Sequence, residues 1–143
     1  MKIEFKGNEL NFNLSRSNLR KQAAKGSIRP GTSEEDMPDS LVWCDKDTNT
    51  ITVDESASDS YATYAAIHEC ICCGSYKGLF PDPEDPERRC GLIDKMLIQA
   101  MPESERKTYI AKRIEMFRTL IEHGLNPQYD TQFLKSIETL ESL

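Results

Sequence analysis

No stretch of the chain is long and apolar enough to span a bilayer, and the opening residues MKIEFKGNEL lack the apolar segment of a secretory signal. Neither membrane insertion nor export is expected, which makes the cytoplasm the expected compartment. Disulfides are disfavoured there, so the five cysteines are expected as thiols or metal ligands. An odd number leaves at least one unpaired under any scheme. A phosphate loop, a dinucleotide fingerprint and a kinase motif are also missing. These gaps leave no sign of nucleotide-phosphate binding. With no internal repeat and no second composition block, residues 1–143 read as one domain.

Positive charge is in deficit. The net charge of −6 argues against non-specific binding to nucleic acid. One segment runs the other way: residues 10–33 carry Arg16, Arg20, Lys21, Lys25 and Arg29 and no acid. Arg16, Arg20, Lys21 and Lys25 could face an acidic partner, or simply form the solvated face of a surface helix. No DNA or RNA recognition motif accompanies them.

The pattern of apolar residues predicts an α+β chain, with an N-terminal β-hairpin and short antiparallel strands followed by four helices. KIEFKGNELNFNL alternates on both sides of Gly7-Asn8, a pair that tolerates the positive φ of a tight turn. A short helix is expected over 15–26, capped by Ser15 or Ser17 and ended by Gly26. Residues 28–40 read as a loop. LVWCD and TITVDE read as two strands around the turn KDTN. A helix is expected over 57–73, capped by Ser56 or Ser58 and ended by Gly74, and it should be the most buried helix in the chain. The prolines of GLFPDPEDPERR interrupt regular structure. The spacing of its acids Asp82, Glu84, Asp85 and Glu87 does not match a calcium loop. Further helices are expected over 87–101, over 102–124 on a stripe through Tyr109, Ile110, Ile114, Phe117, Leu120 and Ile121, and over 130–143.

The chemistry concentrates in AAIHECICCG, residues 65–74. Residues i and i+4 share a helix face, so the His68 imidazole and the Cys72 thiolate can converge on one ion; both are good zinc ligands. Glu69 is next to His68 and can reach water held on such an ion. Cys90 and Asp94, in RRCGLIDKM, have the same one-turn spacing.

HECIC resembles the helix motif H-E-x-x-H of the zincin metallopeptidases, with a strand upstream as in that family. The resemblance covers roughly residues 41–100 and implies a zincin-like fold, bound zinc and hydrolysis of a peptide or protein substrate. It implies His68 as a ligand and Glu69 as general base. Cys72 stands where the family has its second histidine; a thiolate gives the metal more charge and weakens it as a Lewis acid. The third ligand falls by position on Cys90 or Asp94, neither of which has the residue type the family uses. Cys90 is the softer donor and suits zinc beside another thiolate; Asp94 would then bond His68 or a water from behind the ligands.

Bland readings stand beside this one. Small free cysteines are often core residues, and Cys70 cannot share the face of His68. Cys44 follows Trp43 in a strand and reads as core. His123 falls in the last turn of its helix, where a cation suits the dipole. A cysteine nucleophile, Cys72 or Cys73 with His68, would place nucleophile and base on one helix with no oxyanion hole in view. The expected function is a small zincin-like metal-dependent hydrolase, degenerate at Cys72. The alternative is a non-catalytic α+β interaction protein without metal.

Overall fold

The structure, a computed structural model, describes residues 2–5, 7–26, 34–45, 47–76, 78 and 83–143. Among these the chain is α+β: a two-stranded ribbon, a three-stranded mixed sheet and five α-helices. No helix among them is long and apolar enough to cross a membrane.

Strands β1 (Lys2–Phe5) and β2 (Asn8–Asn11) form the expected hairpin, with Gly7 at φ +78° in the turn. The chain then departs from expectation. The alternation through Leu14 does not continue the hairpin. β3 (Asn13–Ser17) crosses to a second sheet, of order β3-β5-β4, and pairs in parallel with β5 (Thr50–Asp54). β4 (Val42–Asp45) pairs antiparallel with β5. The expectation of antiparallel strands alone is therefore corrected: a period-2 pattern reports which residues share a face, not the direction of the neighbouring strand. Because Ser15 and Ser17 belong to β3, helix α1 (Leu19–Ala24) starts later than expected. Its first turn is capped by the Asn18 side chain, which accepts from the Lys21 N–H at 3.0 Å. Gly26, at φ +74°, ends it as expected. The loop expected over 28–33, the cation Arg29 and the acid Asp82 lie outside the described residues.

Helix α2 (Asp59–Tyr76) follows β5 after a short turn and is the central helix of the core. Ser58 caps it, its Oγ accepting from the Tyr61 N–H at 3.3 Å. Its inner face is small: Ala62, Ala65, Ala66, Cys70 and Cys73 are all buried, which lets the neighbouring elements approach closely. The helix runs through Gly74 rather than ending there, and the positive φ falls on Gly78 instead. A glycine inside a well-packed helix costs only about 1 kcal/mol, too little to stop it. Helices α3 (Arg89–Ala100), α4 (Glu103–Glu122) and α5 (Asp130–Glu141) complete the chain. α3 packs on α2 and α5, and α4 on α5.

A disulfide joins Cys44 on β4 to Cys73 on α2, which corrects the expectation that all five cysteines are thiols or ligands. Compartment is a statement about the solvent; it does not prevent two sulfurs from being brought together by a strand packing on a helix. Cys70, Cys72 and Cys90 are free and buried.

Candidate metal centre

Two helices build the centre. His68 and Cys72 are one turn apart on α2, and Cys90 and Asp94 are one turn apart at the start of α3. Where α3 packs on α2, one ligand atom each from His68, Cys72 and Cys90 lies within 4.8 Å of the other two. All three residues are buried. This group could hold a metal ion. Two sulfurs and an imidazole nitrogen converging in a buried place are the donor types of transition-metal sites, and not of calcium or magnesium.

Asp94 is fully buried and stands behind the group. One carboxylate oxygen accepts from His68 Nδ1 at 2.8 Å and from the Tyr109 hydroxyl at 2.8 Å; the other accepts from Arg113 Nε at 3.0 Å. With Nδ1 bonded to Asp94, an ion would have to take Nε2 in place of its contact with Arg113, and the carboxylate fixes the ring. Arg113 is 1% exposed, and its guanidinium also comes within 3.3 Å of His68 Nε2 and lies over the Phe117 ring. It offsets part of the negative charge that two thiolates and two carboxylates would gather here.

The titratable groups are strongly perturbed. Burial disfavours a charged His68, but the Asp94 carboxylate and its hydrogen bond outweigh this and raise the pKa to about 9. Burial likewise penalises the Asp94 carboxylate, yet Arg113 and His68 hold its pKa down at about 2. The Cys72 thiol donates to the Cys90 sulfur, so Cys72 is pushed up and Cys90 well down, the latter also drawn by His68. Gln132 Nε2 adds a further donor to Cys90 Sγ at 2.9 Å. Protons shared by these groups occupy the positions a cation would take, and binding one would release them.

Glu69 is half-buried, with its pKa raised by burial against the opposing pull of His68 and Arg113. Its carboxylate makes no hydrogen bond to a described residue. Glu69, Cys72 and Cys90 open onto a cleft of about 380 Å³, walled by Trp43 and Cys44 of β4 and by Gln132 and Phe133 of α5. His68 is not part of that lining.

Of the residues singled out from the sequence, His68, Cys72 and Cys90 come together, Asp94 contacts His68 rather than the open side of the group, and Glu69 faces the cleft. Cys70 is core, and His123 caps the end of α4, exposed and outside the group. In the basic segment, Arg16 bonds Asp59 and two backbone carbonyls, and Arg20 pairs with Asp39. Lys21 and Lys25 are exposed. The sequence reading passed over Arg113, Tyr109 and Gln132 as parts of the centre. Arg113 had a signal: it falls four residues after Tyr109 and four before Phe117, on the apolar face of α4, where an unpaired charge is not tolerated. Gln132 had none.

No family model matches the chain, and neither a curated protein nor a solved structure shows significant similarity to it.

Proposed function

We propose that this chain is a small zinc-dependent hydrolase, with His68, Cys72 and Cys90 as ligands and Glu69 as its general base. The observation that carries the reading is the convergence of those three donors beside a half-buried carboxylate that faces a cleft. Zinc fits an imidazole with two thiolates better than the harder cations do. A bound zinc supplies a Lewis acid and lowers the pKa of a water beside it. Asp94 orients His68. Glu69 would take the proton from that water and return it to the leaving group. The two thiolates make the ion a weaker acid than an all-imidazole site would, so the reaction should favour an electrophile that needs little polarisation. The resemblance to zincins extends to the His68–Glu69 pair on a helix after a strand, and stops at Cys72.

A second reading, a non-catalytic protein without metal, is favoured by one observation. The Asp94 carboxylate is satisfied by His68, Tyr109 and Arg113, so protein partners alone complete this buried polar group. Metal analysis of protein purified without chelator or histidine tag separates the two. The hydrolase reading expects close to one zinc per chain, lost in His68→Ala and in Cys72→Ser. Equal zinc in all three proteins would remove His68 and Cys72 as ligands; none in the parent, together with a Tm indifferent to chelator, supports the second reading.

A further inference from the structure

Resting on the zinc-hydrolase reading, we infer that the cleft over Glu69, Cys72 and Cys90 binds a small planar nitrogen heterocycle carrying an amino group, of the nucleobase type, and that the reaction is its hydrolytic deamination. The lining points to such a ligand. Rings are supplied by Trp43, Tyr129 and Phe133, with Tyr129 and Phe133 centroids 6.2 Å apart. Carboxamides are supplied by Asn126, Gln128 and Gln132. Aromatic faces stack on a flat ring, and a carboxamide offers a donor and an acceptor side by side, the pattern on the edge of an aminopyrimidine or purine. Among the described residues of the lining Glu69 is the only charged one, and none of them selects a phosphate or a carboxylate. A volume of about 380 Å³ suits a small molecule better than an extended peptide.

The chemistry agrees with the shape. One histidine, two cysteines and a glutamate that is not a ligand form the donor set that supports hydrolytic deamination of bases. The amine-bearing ring carbon is already electron-poor, so a zinc weakened by two thiolates is acid enough, which is less true of an unactivated peptide carbonyl. Glu69 takes a proton from water as its oxygen bonds to that carbon, and the C=N electron pair moves to the ring nitrogen, which Glu69 protonates. The carbon–amine bond then breaks, the amine leaves as ammonia with the second proton, and the ring keeps a carbonyl. No electrons are gained or lost overall.

The test uses the full chain loaded with zinc, its metal content measured first. Trp43 is the only tryptophan and lines the cleft, so its fluorescence reports occupancy. Titration with cytidine, adenosine and the unreactive pyrimidin-2-one ribonucleoside should give saturable quenching by at least one. Gln128→Ala and Tyr129→Ala, both exposed and outside the ligand group, should weaken that binding by about tenfold with zinc retained. Ammonia should appear from cytidine or adenosine and be lost in Glu69→Gln. Stoichiometric zinc with no quenching by any of the three overturns the inference. So does binding without ammonia release, or cleavage of a peptide library in place of it; the hydrolase reading survives the last. A chain that takes up no zinc removes both, and is told apart by the metal measurement alone.

Discussion

At the scale of single residues, the centre is a set of charges that only tolerate burial together. Asp94 and Arg113 are each almost fully buried and are held 3.0 Å apart. Removing one leaves the other an uncompensated buried charge, so Arg113→Met should destabilise the chain by about 3 to 5 kcal/mol in urea unfolding. Arg113→Met combined with Asp94→Leu should recover part of that loss, because the pair is then replaced rather than broken; no recovery in the double variant would mean the two are not coupled. His68 makes a pH prediction for chelator-treated protein. Its folded pKa of about 9 exceeds the ordinary value of 6.5. The stabilisation is therefore complete below pH 6.5 and disappears as pH rises through 9. A gap of that size corresponds to about 3 kcal/mol, and Tm should fall across this window. The depressed pKa of Asp94 belongs to the same pair and is not a second contribution. A Tm that stays flat from pH 6.5 to 9, or that rises, would mean that His68 is neutral when buried.

At the scale of elements, two contacts set the geometry. The first is the approach of α3 to α5 at Gly91. A Cβ there would meet Thr139 Oγ1 at 3.0 Å and the Ser136 Cα at 3.4 Å, so the helices are close because this position has no side chain. Gly91→Leu should cost about 1 to 3 kcal/mol by overpacking. It should also weaken zinc binding at the proposed centre, because the displaced residue adjoins Cys90. Gly91→Ala should be milder, since the helix gains about as much propensity as the contact loses. Isothermal titration with zinc alongside unfolding curves reads both effects, and unchanged affinity in Gly91→Leu would show that Cys90 is positioned by α2 alone. The second contact is the buried Asp54 at the end of β5. Its carboxylate accepts from the Leu19 N–H at 2.9 Å and the Ser56 N–H at 3.0 Å, tying α1 and the approach to α2 to the strand. Asp54→Ala should cost about 2 kcal/mol or more, since it strands two backbone donors.

For the whole molecule, the Cys44–Cys73 disulfide links the sheet to the central helix across 29 residues. Closing a loop of that length is worth about 3 to 4 kcal/mol in the chain-entropy account. Thiol titration of denatured protein isolated without reductant should find three thiols, from Cys70, Cys72 and Cys90, and five after reduction. Five before reduction would show the pair open. Cys44→Ala should lower Tm in the oxidised protein and leave the reduced protein nearly unchanged.

Local chemistry in the sequence determined a good deal of this protein. Apolar spacing and the breakers Pro102 and Gly124 delimit α4 to within about two residues, and alternation marks β1, β2, β4 and β5. The one-turn spacings His68–Cys72 and Cys90–Asp94 already placed each pair on a helix face, because helix geometry is set over four residues. What only the tertiary structure decided involves residues distant in the chain. The parallel pairing of β3 with β5 joins positions 37 apart, and the Cys44–Cys73 bridge joins two elements that no local pattern relates. The burial of Arg113 against Asp94, and the approach of Gln132 to Cys90 across 42 residues, belong to the same class. Helix and strand periods are properties of neighbours along the chain. Partner choice is settled by which faces pack, so it becomes legible only once α2, α3, α4 and α5 have closed on one another.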